Sequence, residues 1–142
     1  MSKLIVYNAS AGSGKTYTLA REYILQIIRR PMEYRAILAV TFTNKATEEM
    51  KTRIIEELHA LAKYRRGEGR EPNYLSVLVD MLKGEQGQQQ TLWDDDSARI
   101  EYEKEVSKRA QLVLTSILHD YSNFAISTID KFFQKVVRNL VR

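Results

Sequence analysis

Leu4-Ile5-Val6-Tyr7-Asn8-Ala9-Ser10-Ala11-Gly12-Ser13-Gly14-Lys15-Thr16 opens the chain and decides its fold. The apolar run from Leu4 to Tyr7 leaves into a loop of small residues, which predicts a buried strand followed by a tight, glycine-containing turn. Leu19, Ala20, Tyr23, Ile24, Ile27 and Ile28 then recur at helical spacing, and Pro31 stops that helix after Arg30. Residues 36–42 are again apolar and β-compatible. Strand, helix and strand in this order predict a parallel sheet, because parallel neighbours need a crossover between them. The strand before the glycine loop is expected at the centre of that sheet.

Thr43 or Asn44 is a good N-cap for a long helix whose apolar face is Ala46, Met50, Ile54, Leu58 and Leu61, fraying between Lys63 and Gly67. A loop from Arg66 to Pro72 leads to a short helix marked by Leu75, Leu78, Val79 and Leu82. Gly84 to Gln90 read as a polar, glutamine-rich linker. Another long helix is predicted from Asp96 or Ser97, with Tyr102, Val106, Ala110, Val113 and Ile117 on its buried side. Residues 124–129 read as a third strand. A last helix carries Phe133, Val136, Val137, Leu140 and Val141 on one face.

The 142 residues, 44% of them hydrophobic, fit one compact domain. A net charge of +4 permits an anionic partner without demanding one. Without cysteine there is no disulfide, thiolate zinc site or thiol catalysis, and His59 and His119 are the only histidines. The opening apolar stretch is too short for a signal peptide or a membrane span, so no membrane role and a cytoplasmic location are expected. Asp94-Asp95-Asp96 is better read as helix capping and solvation than as a metal site.

The loop chemistry comes next. Residues 9–16 match the Walker A pattern except at the first position, where Ala9 replaces glycine. In such a loop Ala11, Gly12, Ser13 and Gly14 let backbone N–H groups wrap a phosphate, and the helix N-terminus adds partial positive charge. Lys15 reaches the β- and γ-phosphates and Thr16 can ligate Mg²⁺, which implies ATP and Mg²⁺ as cofactors. Tyr17, in the first helical turn, could stack an adenine or simply pack. Walker A alone does not choose between kinases, GTPases, transporters and helicases.

The choice falls to residues 39–54, Ala39-Val40-Thr41-Phe42-Thr43-Asn44-Lys45-Ala46-Thr47-Glu48-Glu49-Met50-Lys51-Thr52-Arg53-Ile54. This stretch resembles motif Ia of the UvrD/Rep and RecB/AddA superfamily 1 DNA helicases, written TFTNKAAxEMxxRI. The alanine-serine-alanine run before the glycines looks more like the RecB branch. The resemblance implies a P-loop, RecA-like domain, a place in DNA repair or recombination, and a single-stranded DNA track formed by Thr41, Phe42, Thr43, Asn44 and Lys45. An aromatic can stack, hydroxyl and amide groups can bond phosphate, and a lysine adds charge. Without the resemblance, Phe42 as a core residue and Thr43-Asn44 as a helix cap would be the commoner arrangement.

Ile126-Ser127-Thr128-Ile129-Asp130-Lys131-Phe132-Phe133 resembles motif Ib, TIHSFC, which adds Thr128 and Phe132 to the track. Asp130 and Lys131 depart from it at the usual histidine and serine, and a carboxylate beside phosphate would repel it. A rival takes residues 124–130 as a Walker B strand ending in Asp130, but Ser127 and Thr128 interrupt its apolar run. Residues 3–54 and 124–140 carry the resemblance, with a helical insertion at about 66–121 between the second and third strands. In that insertion Lys63, Arg65, Arg66 and Arg70 could meet phosphate or form a solvated loop.

The Walker B Asp-Glu pair, glutamine sensor and arginine fingers of such helicases are not found in the sequence. The chain is therefore expected to be the N-terminal part, residues 1–142, of the first ATP-binding domain of a larger helicase. Its expected partners are DNA, a nuclease partner protein and the remainder of that parent chain. A small P-loop phosphotransferase, or a non-catalytic module switched by ATP, are the alternatives; neither accounts for motif Ia.

Overall fold

The computed structural model describes the backbone of residues 3–6, 14–86 and 95–141 and the side chains of residues 17–85 and 96–141. Three short strands, β1 (Lys3–Val6), β2 (Ile37–Thr41) and β3 (Ile126–Thr128), form one sheet in the order β1-β2-β3. Both pairings are parallel, with Val6 opposite Val40 and Thr41 opposite Thr128. The expected parallel sheet is present, but its centre is β2: among the described strands β1 lies at an edge. Burial explains why β2 is central, since Ile37, Ala39, Val40 and Thr41 all lose their solvent exposure, whereas a strand open on one face alternates.

Helix α1 (Gly14–Arg29) crosses from β1 to β2. Its apolar stripe of Leu19, Tyr23, Ile24, Ile27 and Ile28 is wholly buried. Arg30 N–H still donates to Gln26 O at 3.1 Å before Pro31 diverts the chain into a 3-10 turn, Pro31–Ala36. That turn is clamped to the far end of the molecule by Tyr34 Oη donating to Ser116 O at 3.2 Å and by an Arg35–Asp120 ion pair.

Three helices separate β2 from β3: α2 (Asn44–Lys63), α3 (Leu75–Gln86) and α4 (Asp95–His119). The faces expected from periodicity are the buried ones, including Tyr102, Val106, Ala110, Val113 and Ile117 of α4, which pack into the cluster that holds Ile54 and Leu58 of α2. The turn after α2 uses Gly67 and Gly69, both at positive φ (85° and 88°), where a side chain would strain the backbone. One expectation is corrected here. Gly84 to Gln86 belong to α3 and not to a linker, because Leu82 anchors the last turn in the core and Glu85 pairs with Arg29 at 2.8 Å. Residues 87–90 lie outside the described part.

Helix α5 (Ile129–Val141) follows β3 directly, and none of its residues is buried. Its amphipathic stripe is present, yet Phe133, Val137, Leu140 and Val141 are all exposed.

Two core tyrosines give the fold a pH signature. Burial pushes the Tyr74 phenol up to about 12 from an ordinary value near 10, and burial raises Tyr23 further. Tyr74 donates to Tyr17 O at 3.0 Å, whereas Tyr23 Oη has no hydrogen-bond partner among the described residues. Below pH 10 both phenols are neutral in folded and unfolded chains, so their contribution is fully present. As the pH rises from about 10 to about 12 the unfolded chain ionises Tyr74 and the folded one resists, so stability drains away by about 2–3 kcal/mol. Urea unfolding at pH 9 and pH 12 should show that loss; equal midpoints would contradict it. Tyr23→Phe should stabilise the protein at pH 8 by about 1 kcal/mol, since it removes a buried, unpartnered hydroxyl.

Candidate functional site

Parallel register brings the carboxyl ends of β2 and β3 together, and α2 and α5 both start from that edge. Open α/β sheets bind their ligands at this edge, where loops and helix N-termini converge. Helix α1 begins at Gly14, eight residues after Val6 closes β1, and has no acidic residue in its first turn. A helix start with free N–H groups and no nearby carboxylate suits an anion. Ala11, Gly12 and Ser13 lie outside the described residues, and Gly14, Lys15 and Thr16 are placed by their backbone as the first turn of α1.

Tyr17 is the first side chain of α1 that is described. Its ring packs at 4.9 Å from Tyr74, with the Arg53 guanidinium 6.0 Å from its centroid. These contacts answer to packing, and they tie the start of α1 to α2 and to the segment before α3. Nothing in the sequence marks Arg53 as functional, because its partnership with Tyr17 depends on how α1 and α2 pack.

At the end of β2 the motif residues separate into two sets. Phe42, Thr43, Asn44 and Lys45 are exposed, Phe42 by 48%. Thr41 is only 1% exposed, and its hydroxyl is paired with the Thr47 hydroxyl and lies 3.3 Å from Thr43 O. Thr128 is likewise buried and accepts from Lys131 N–H at 3.2 Å, capping the first turn of α5. Both were expected to meet DNA directly; instead their hydroxyls are spent inside the protein, because each stands on a covered strand end where an unbonded hydroxyl would be costly. Thr43 is the N-cap of α2, its Oγ accepting from Ala46 N–H at 3.0 Å, and it remains exposed. Phe132 is half-buried in α5 beside Phe133, with ring centroids 6.3 Å apart.

Thr47 is the residue that sequence reasoning missed. It stands where motif Ia has alanine, and its hydroxyl lies 3.2 Å from Thr43 O as well as against Thr41. The three threonines therefore fix the turn from β2 into α2, and with it the direction in which Phe42 to Lys45 project. Asp130 is exposed in the first turn of α5, at the strand farthest from β1. No group of acidic or histidine side chains that could hold a metal occurs among the described residues, and no described helix is long and apolar enough to cross a membrane.

Comparison with known proteins gives this geometry a context. The family model for the UvrD/REP helicase N-terminal domain matches residues 1–142, the whole chain. The RecB component of the RecBCD enzyme of Haemophilus influenzae is 38% identical over 65 residues, 41% of this chain and 5% of that protein. An ATP-dependent helicase/nuclease protein of the AddA kind from Exiguobacterium sibiricum is 44% identical over 61 residues, 42% of this chain and 5% of its own length. The protein of the same name from Lacticaseibacillus casei is 36% identical over 80 residues, 55% of this chain and 6% of its own. The chain thus spans 5–6% of the length of these relatives. No solved structure matches it.

Proposed function

Since the chain belongs to the UvrD/REP helicase N-terminal domain family, we propose that it is the nucleotide-binding part of the first RecA-like domain of an ATP-dependent DNA helicase in DNA repair or recombination. The observation that carries this reading is the parallel register of β2 and β3, which puts the exposed Phe42–Lys45 turn and the start of α5 on one edge. The relatives named as RecB and as ATP-dependent helicase/nuclease proteins support a helicase that works with a nuclease, in the cytoplasm and as one part of a longer chain. Residues 66–121 are then an insertion into the domain, housing α3 and α4.

In this reading Ala11 to Tyr17 hold ATP, and Lys15 and Thr16 are the catalytic contributors of this segment. The start of α1 and the Lys15 ammonium neutralise phosphate charge, and the Thr16 hydroxyl supplies a ligand for Mg²⁺. Magnesium would spread the charge of the β- and γ-phosphates when bound. Phe42, Thr43, Asn44, Lys45 and Phe132 form the single-stranded DNA track, with Thr41, Thr47 and Thr128 positioning them.

Fluorescence anisotropy with a labelled oligo-dT tests the track. Phe42→Ala should weaken binding by about 5- to 150-fold, the range expected for loss of one base stack. Lys45→Ala should lower the salt dependence by about 0.7 of a contact slope. Thr47→Ala should also weaken binding, by leaving the buried Thr41 hydroxyl unpaired, and Thr47→Ser should restore it. Wild-type affinity in Phe42→Ala and Lys45→Ala together would sink the assignment of this edge.

A further inference from the structure

Helix α2 has 20 residues, so its far end lies about 30 Å from the motif residues at its start. There the end of α2 and the middle of α4 enclose an open cleft of about 460 Å³. Its floor is made by small residues: Ala62, and Ser107, whose hydroxyl donates to Ala62 O at 2.8 Å. Its walls carry Arg65, Arg66, Lys104 and Lys108, four cations. Glu103 is the only acidic residue in the lining, and it is buried with its carboxylate held by Arg99 Nε at 2.8 Å. Just outside, Glu101 lies 3.6 Å from Lys104.

Arg65 is fixed in place. Its Nη1 donates to Tyr64 O at 2.7 Å, Ser107 Oγ at 3.1 Å and Ala62 O at 3.3 Å, which satisfies carbonyls at the end of α2. Arg66, Lys104 and Lys108 are exposed at the cleft and have no such commitment to the backbone among the described residues. Lys104 and Lys108 are one helical turn apart, about 6 Å along α4, with Gln111 continuing the row. A row of cations along one helix, faced by an arginine across a groove, matches the repeating charge of a phosphodiester backbone better than it matches a single small anion.

We propose that this α2–α4 cleft is a second nucleic-acid site, one that grips the sugar-phosphate backbone without reading bases. It rests on the helicase reading for the identity of the polymer, but none of its residues belongs to the carboxyl edge. A strand long enough to engage both sites gains by linkage what a short one at the edge cannot.

The test uses the whole chain, labelled dT oligonucleotides of about 8 and about 40 nucleotides, and a salt titration. Arg66→Glu/Lys104→Glu/Lys108→Glu should weaken binding of the long strand at least 10-fold and reduce its log–log salt slope by about 2, while the short strand loses less than 3-fold. Arg66→Lys/Lys104→Arg/Lys108→Arg should retain long-strand binding, and Lys108→Ala alone gives a milder loss should the triple reversal fail to fold. Unchanged affinity and slope for the long strand would overturn the cleft. Equal displacement by poly-glutamate of matched charge would overturn it too, showing an acidic-polypeptide site. If Phe42→Ala/Lys45→Ala abolishes binding and the cleft variants do not, the edge stands and the cleft falls. If the cleft variants alone matter, the cleft stands and the edge falls; if the wild-type chain binds neither strand, both fall.

Discussion

Lys15→Ala is expected to weaken binding of Mg-ATP by about 10- to 150-fold, and more if the loop loses its order. A charge-assisted hydrogen bond to phosphate contributes about 1.5–3 kcal/mol, roughly twice a neutral one. In this chain no acidic residue occurs in the first turn of α1 to compete for the lysine. The helix start supplies N–H groups that remain after the substitution. Affinity should therefore drop and not vanish, and isothermal calorimetry with ADP should show a smaller loss than with ATP, because the γ-phosphate contact is the one ADP lacks. Lys15→Arg should not restore binding fully, since a planar guanidinium cannot occupy the space of a compact ammonium. Identical calorimetric affinities for wild type and Lys15→Ala would remove the loop from the nucleotide site.

What the sequence disclosed follows from period and punctuation. Helix α4 shows this well: Tyr102, Val106, Ala110, Val113 and Ile117 step by three or four residues, and every one is buried. The stop of α1 at Pro31 and the Thr43 cap are equally local, so they are visible without tertiary knowledge. Three things were not visible. A threonine at a strand end can bond phosphate or its own backbone, and only the packing of α2 on β2 commits Thr41 to Thr47. Sheet order is a global property, so nothing in residues 4–7 tells whether β1 is an edge or a centre. Gly84 looks like a breaker, yet a glycine costs a helix only about 1 kcal/mol, less than burial of Leu82 beside it contributes. The stripe on α5 was legible as a helix face, but a stripe does not say what covers it.

The 142-residue chain is expected to bind ATP and to turn it over at a rate far below that of a DNA-stimulated helicase, by a factor of about 10³–10⁵ or more. Phosphoryl transfer needs a positioned water and neutralisation of charge around the γ-phosphate, and an arginine finger alone contributes a factor of that size. Lys15 and Thr16 address the phosphates and the metal, but no Asp-Glu pair at the end of an apolar run occurs in the sequence to orient water. Asp130 is the one carboxylate at the end of a strand that could take that part. The strand order argues against it: β2 lies between β3 and β1, which puts the end of β3 roughly 10 Å to the side of the strand that feeds the phosphate loop. A carboxylate must reach its water at hydrogen-bonding distance, and one at that offset would need the intervening strand to yield. Asp130→Ala should accordingly leave nucleotide affinity and the slow basal turnover unchanged, measured by phosphate release with and without oligo-dT. Robust DNA-stimulated turnover by this chain, lost in Asp130→Ala, would make Asp130 the metal- or water-holding acid, and residues 124–130 would then be a Walker B strand and not part of the DNA track.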